Sequence, residues 1–448
     1  MTLHRSSRDH DAKVAYLYLV ALGIGYLFSF AALTQPVDYW GVIFPTYKLD
    51  IEYAISAVYV WVNVVAVLFI VIWGGTPVFK TRIYGGFCCQ FMVLIIVPSS
   101  YFLHLNEVQN YWLILSVTAF VSVATAFTAS AAISFTAQYP IEIQSGYQMG
   151  IGLSTLIGSC FRIITKSLLP SDAVVNSSLL FFYSGALVIV VVTILYKWLL
   201  ELPCSEKYIV YGLSPTESKQ RLNRRVKQDV ELTFLQSEMC ENSPLIDKNH
   251  KHSVTNVTYA AMNKDSSESV EATYTYSNRE LFLKIYPAYF PVMMVYSVTL
   301  MMWPPLVTEI RSFNFPYLDD TQWWSLILLF CYAAMDCVGR FFVGCLPACL
   351  NKNNIFLFSI IRSLIIIPIC CSVKGVIFTN DCFSIIFVCV LGASNGYLGS
   401  TSIMMVNEWC DTQDEIGHAG VITGFVINFA LAIGALLASV LHFYIQLL

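Results

Sequence analysis

Residues 328–346 read LLFCYAAMDCVGRFFVGCL, an apolar stretch that holds one carboxylate, Asp336, and one guanidinium, Arg340. On a helix, residues four apart project from one face about a turn from each other. Tyr332, four residues earlier, extends the same stripe. A lone charge at the depth of a bilayer is costly, so such a face looks inward, onto a partner or a wet cavity. The pair is suited to hydrogen bonding a polar solute, or to acting as an ion-pair latch during transport. The plain alternative is a permanent salt bridge that pins its helix to a neighbour. Two further polar side chains stand in apolar surroundings, Asn395 and Arg362. Asn395 needs a partner at that depth, and tying its helix to a neighbour is the reading preferred over solute contact. Arg362 lies too far along its segment to snorkel, and Glu408, Asp411, Asp414 and Glu415 fall on the expected cytosolic side. An inner gate between Arg362 and one of those acids is therefore expected.

The elements that must position these groups are membrane helices. Of the 448 residues, 57% are hydrophobic and 12% charged, with a mean hydropathy of +0.64. A soluble surface does not tolerate that composition. A hydrocarbon core about 30 Å thick needs about 20 apolar helical residues. Eleven such runs lie near 14–34, 52–74, 83–103, 111–138, 147–170, 175–200, 281–303, 323–346, 354–373, 383–406 and 419–446. The first is too long, and lacks the small-residue cleavage site, to be a removable signal peptide. Lysine and arginine in short loops set orientation. Arg5, Arg8, Lys13, Lys80, Arg82 and Lys352 outweigh Lys48, Lys166, Arg311 and Lys374, which predicts a cytosolic N-terminus and a C-terminus that is extracellular or lumenal.

Residues 201–280 break the pattern and are expected to be a cytosolic, largely disordered linker. The linker carries a basic cluster (Arg221, Arg224, Arg225, Lys227), the sorting-signal-like hexamer ENSPLI from Glu241 to Ile246, and a glycosylation acceptor pattern at Asn256–Thr258 that a cytosolic position would leave unused. The expected divisions are residues 1–200, a six-helix bundle, and 281–448, a five-helix bundle. Small residues recur every fourth position at Gly146, Gly150, Ser154 and Gly158, at Gly420 and Gly424, and again at Ala430, Gly434 and Ala438, which lets backbones approach. Cysteines fall mostly inside the predicted helices, and neither a disulfide framework nor a zinc site is expected. No basic arm points to nucleic acid, and no H-E-x-x-H or G-x-S-x-G marks an enzyme; His104, His418 and His442 lack ligand spacing. No catalytic residue, metal or cofactor is predicted, and no obligate protein partner is evident beyond the lipid bilayer.

The letters around the charged pair carry a resemblance. DCVGR (Asp336 to Arg340) resembles the D-x-x-G-R signature in the eighth helix of equilibrative nucleoside transporters. LGASNGYLGSTSIMMV (Leu391 to Val406) is similar to that family's tenth-helix S-N-G-Y-L motif, and AGVITGFVINFALAIGALLAS (Ala419 to Ser439) to its last helix. VTLMMWPPL (Val298 to Leu306), and Arg362 with Pro368, resemble its seventh and ninth helices. The motifs occur in the family's order, with its long loop between helices 6 and 7. The N-terminal half departs from the pattern. Ser29, Phe30 and Ala31 stand where Pro-Trp-Asn is usual, TASAAIS (Thr128 to Ser134) replaces a Gln-Gly-Ser, YPIEIQSGYQMG matches the next element only loosely, and Ala333 stands where Asn is common.

The resemblance implies an all-α polytopic fold similar to the major facilitator architecture, with six helices in one bundle, five in the other and a site near the midplane between them. It implies a nucleoside permeant, with nucleobases also accommodated, moved by alternating access. Asp336 and Arg340 would hold the ribose or the base edge, Phe30 would lie against the base, and Gln148 and Tyr332 would add contacts. The alternative permeant is a nucleobase or an organic cation such as a monoamine, with proton coupling through Asp336 left open. A channel or receptor is a more distant class. The plasma membrane is the expected location, with an endolysosomal membrane as the alternative.

Overall fold

The computed structural model describes residues 2–45, 48–73, 78–169, 173–209, 278–345, 350–352 and 354–447. Eleven helices long and apolar enough to cross a membrane run through them, and no strand occurs among the described residues. In chain order they are α1 (Thr2–Thr34), α2 (Lys48–Trp73), α3 (Phe79–Ser99), α4 (Glu107–Ala137), α5 (Ile141–Leu168), α6 (Val174–Glu201), α7 (Asn278–Met302) and α8 (Trp323–Cys345). They continue as α9 (Ile355–Lys374) and α10 (Asp381–Trp409), then α11 (Gln413–Leu447).

Local sequence sets the ends. Pro36 follows α1 and stops it, because proline disfavours helical backbone in the residue before it. Asn106 and Gln109 close a capping box at the start of α4, which satisfies otherwise orphaned N–H groups. The Asn380 side chain accepts from the Cys382 N–H at 2.9 Å to begin α10. Gly375, at φ 63°, ends α9 in a left-handed turn that glycine adopts without steric penalty.

In the first half, α1 packs on α5 and α6, α4 packs on α2 and α3, and α3 meets α6. In the second half α8 packs on α10, and an apolar cluster built from Trp303, Leu306, Leu328, Ile369, Val388 and Leu391 ties α7 to α10 together. The most extensive contacts between the halves are α5 with α8, α4 with α11, and α2 with α11. The expected six-plus-five arrangement is thus present. Faces turned away from these contacts are apolar and exposed, as at Val65, Phe69, Leu187 and Leu437, which suits lipid.

Of the linker expected over 201–280, residues 210–277, including the basic cluster, ENSPLI and Asn256–Thr258, lie outside the described residues. Its beginning is ordered. Pro203–Tyr208 forms a short helix, pinned where Ser205 Oγ donates to Leu199 O at 2.6 Å and lies 2.7 Å from the Tyr139 hydroxyl. The small-residue stripes do different jobs. On α5, a Cβ at Gly150 would land on the α1 backbone at Val20, so that stripe packs within the first half. On α11, Gly420 sits against the Ser134 backbone of α4 and Gly424 near Ser130, so this stripe lies between the halves, while Gly434 meets Ser297 of α7 within its own half.

Candidate functional site

The side chains singled out on α8 are buried together at the junction of the halves. Arg340 Nε donates to Asp336 Oδ2 at 2.8 Å, the pair one helical turn apart that the spacing predicts. The other Asp336 oxygen accepts from Asn395 Nδ2 on α10 at 2.6 Å. Arg340 Nη1 reaches across to α5, where it donates to Gln148 Oε1 at 3.1 Å, and also to Ser400 Oγ on α10 at 3.2 Å. The acid therefore faces its own half, and the base spans the two. Breaking such a buried pair from one side costs about 3–5 kcal/mol, because it leaves an uncompensated charge.

Backbone geometry makes this possible. α10 passes from α-helix into a π turn over Asn395–Gly399, a local widening that often marks functional positions. A Cβ on Gly396 would collide with Asp336 O, Arg340 N and Asp336 C of α8. Only a residue without a side chain allows the two backbones to touch and brings Asn395 within reach of the carboxylate. On the opposite flank, a Cβ on Gly152 of α5 would lie 2.7 Å from Arg340 Cδ. Arg340 is thus packed between two helices from different halves.

Arg362 joins the same network, which corrects the expected inner gate. Its guanidinium donates to Val295 O at 2.8 Å, Thr299 Oγ1 at 2.7 Å and Ser394 Oγ at 3.0 Å. Thr299 Oγ1 in turn donates to Asn395 Oδ1 at 2.7 Å. None of these acceptors is a carboxylate. Three of the four acids expected as partners face lysines instead: Lys284 binds Asp411 at 2.7 Å and Glu415 at 2.9 Å, and Lys352 lies 3.8 Å from Glu408. Lysines rooted on α7 and beside α9 already sit at that end, and the shorter reach from Arg362 ends in hydroxyls and a carbonyl. Beside this cluster, in the turn between α10 and α11, burial and the Glu415 charge push the Cys410 thiol up to about 11. The network holds two guanidiniums and one carboxylate, which bonds to Arg340 and not to Arg362.

Aromatic rings surround these charges. Phe30 is buried, 4.5 Å from the Tyr59 ring, and Tyr26 lies 6.1 Å from Tyr147. Tyr26, Tyr296 and Arg340 are the electrostatic neighbours of the Tyr147 hydroxyl, so it lies in the surroundings of the charged network. It is fully buried and has no hydrogen-bond partner among the described residues. Its neighbour Gln148 already accepts from Arg340. Tyr332 stacks on Trp303 at 4.6 Å and belongs to the apolar cluster of the second half. The structure thus gathers Asp336, Arg340, Gln148, Asn395 and Arg362, places Phe30 and Tyr332 in flanking aromatic pairs, and leaves Glu408 and Glu415 at one end.

Sequence reasoning missed Thr299, Ser394, Ser400, Tyr147 and Tyr296, whose types are common in helices and signal nothing singly. Arg162 was legible. It is a charge inside the fifth apolar run, the feature that flags Asp336, and it is 1% exposed.

A sequence model described as Nucleoside transporter matches residues 115–443. The chain belongs to the nucleoside transporter family. Among relatives of this family member, the equilibrative nucleotide transporter 1 of Arabidopsis thaliana is 24% identical over 438 residues, covering 95% of this chain and 85% of the relative. The equilibrative nucleoside transporter 4 of Homo sapiens is 23% identical over 431 residues, covering 90% of this chain and 78% of the relative. Among solved structures, the major facilitator superfamily proton:xylose symporter XylE, bound to 6-bromo-6-deoxy-D-glucose, superposes with a TM-score of 0.59 at 8% identity, covering 98% of this chain and 96% of that one. A partially occluded, inward-open XylE structure gives 0.52 at 9% identity, covering 97% and 98%. These likenesses fix the fold as that of major facilitator transporters. Family and fold are those of membrane transporters, not of enzymes.

Proposed function

We propose that this nucleoside transporter family member carries nucleosides down their gradient by alternating access, with the permeant held between the halves beside Asp336, Arg340 and Tyr147. The observation that carries the reading is the bond from Arg340 to Gln148. It places a charged, hydrogen-bonding group on the boundary that rocking would open and close, beside aromatic faces suited to a flat base. The orphan Tyr147 hydroxyl leaves a polar position unfilled, and burying such a group unpaired costs about 1–3 kcal/mol. A permeant hydroxyl or ring nitrogen meets that need. The names of the relatives, equilibrative nucleotide and nucleoside transporters, point the same way.

The charge balance separates this reading from the organic-cation alternative. Asp336 is the single carboxylate in the network described above, set against Arg340 and Arg362, and an excess positive charge repels a cationic permeant. Both Asp336 oxygens are taken by N–H donors, an arrangement that supports flux without a proton. By the loop-charge argument the N-terminus faces the cytosol, and the plasma membrane is the assigned location.

The test is uptake of labelled adenosine, inosine, uridine and adenine into cells lacking their own carriers, with a monoamine as competitor, at two pH values. Saturable nucleoside uptake that is accelerated by unlabelled nucleoside on the far side, indifferent to the monoamine and equal at both pH values, is expected. Monoamine uptake that exceeds nucleoside uptake, or uptake that needs acid, would overturn the reading.

A further inference from the structure

The two ends of the junction between the halves are closed by different means. At the end that holds Lys284, helices meet directly. Ser134 Oγ donates to Gly417 O at 2.6 Å, Asn407 Nδ2 donates to Gln144 Oε1 at 3.1 Å, and Gly420 has no room for a Cβ against the Ser134 backbone. At the other end the halves face each other across a small, open-mouthed cleft, lined by Gln35, Asp38, Arg162 and Lys166 from the first half and by residues that include Ser325 and Leu326 from the second. One flexible side chain bridges it. Lys166 Nζ, at the end of α5, donates to the backbone carbonyl of Thr321 at 3.0 Å and lies 5.1 Å from the centre of the Trp323 ring.

Both anchors of this bridge are stiffened. On the first half, Lys166 lies 3.9 Å from Asp38. Asp38 is held in turn by the buried guanidinium of Arg162, which also donates to Ser177 Oγ at 3.2 Å. On the second half, the segment before α8 is tied down by carboxylates. Asp381 accepts from Ser312 Oγ at 2.6 Å and from Phe313 N at 2.7 Å, and Asp319 accepts from Ser312 N at 2.9 Å. The chain then turns at Gln322, whose φ of 58° is left-handed, and presents Thr321 O and the Trp323 ring to the lysine.

We infer that Lys166 is a latch that holds this end of the junction shut, with the Thr321 carbonyl and the Trp323 ring as its seat. No carboxylate of the second half takes part in the bonds described. The latch therefore releases without stranding an opposed acid, and Asp38 keeps the lysine compensated once the halves part. A carbonyl hydrogen bond and a cation–π contact are each modest, which suits a closure that must break in every cycle. The opposite end, sealed backbone to backbone, must be opened by moving whole helices. The flux readout below rests on the proposed alternating access; the labelling readout needs no permeant, so the two can fail separately.

The test uses the full-length protein in lipid nanodiscs with Ser325→Cys as reporter, because Ser325 lines the cleft. Its reaction with methyl methanethiosulfonate, a small neutral reagent, is followed by mass spectrometry of the peptide that contains residue 325. Lys166→Met is expected to raise that rate by about threefold or more. Lys166→Arg should stay within about twofold of the parent, since arginine keeps the charge, donates to carbonyls and stacks on indole. Trp323→Leu, which leaves the Asp38–Arg162 pair intact, should also accelerate labelling, and it serves as the test if Lys166→Met does not fold. In transport, Lys166→Met should slow net efflux into permeant-free medium more than it slows exchange, because there the empty carrier must close this end unaided. Labelling no faster in Lys166→Met, or in Trp323→Leu where that variant stands in, would overturn the latch.

Discussion

Arg362 is a full positive charge whose hydrogen bonds end on Val295, Thr299 and Ser394. At an effective dielectric of about 20, charges about 10 Å apart interact by about 1.7 kcal/mol. Arg362→Gln keeps a hydrogen-bonding side chain and removes that term. The ratio of monoamine to uridine uptake is expected to rise by about tenfold in this variant, measured in the same cells at one pH. An unchanged ratio, with uridine uptake retained, would show that the guanidinium does not set charge preference. At this scale the sequence disclosed that Asp336, Arg340 and Arg362 are buried charges, because a charged letter in an apolar run leaves few other outcomes. It did not disclose the partners of Arg362. Those depend on how α7, α9 and α10 meet, and on Lys284 and Lys352 standing beside Asp411, Glu415 and Glu408 at the other end.

Among the elements, α10 does the most to shape the site. Its π turn lets α8 and α10 touch through Gly396, and the asparagine that opens the turn fills the second oxygen of Asp336. A methyl group at Gly396 forces the helices apart, and overpacking of this kind typically costs about 1–3 kcal/mol. Gly396→Ala should lower the thermal unfolding midpoint by several degrees and weaken nucleoside transport. Gly85→Ala, whose added methyl meets nothing nearby, should show no such loss, because alanine favours helix. Equal behaviour of the two variants would contradict the close-contact reading of α8 and α10. The positions of the long helices were legible from hydropathy alone, since each must bury its backbone hydrogen bonds in one apolar run. The π turn was not, because N-G-Y-L-G keeps the composition of an ordinary helix. Nor did the fourfold stripes on α5 and α11 reveal that one packs inside a half and the other between halves, a distinction that belongs to tertiary packing.

In the molecule as a whole, the two halves meet along α5–α8, α4–α11 and α2–α11, with the charged network midway and a different closure at each end. Rocking of the halves requires the α4–α11 contact to open once per cycle. A Cβ on Gly424 of α11 would lie 3.8 Å from Ser130 Cα of α4, which puts the two backbones within the Cα separation that a disulfide spans. Cys410, near this end, competes poorly for the oxidant because its thiol is pushed up to about 11. The decisive measurement is nucleoside flux through the Ser130→Cys/Gly424→Cys protein before oxidation, after oxidation and after reduction, with cross-linking yield read in parallel. Alternating access predicts that flux falls in proportion to the cross-linked fraction and returns when the disulfide is reduced. Full cross-linking with undiminished flux would contradict it, and would mean that solute crosses without the halves parting at that end.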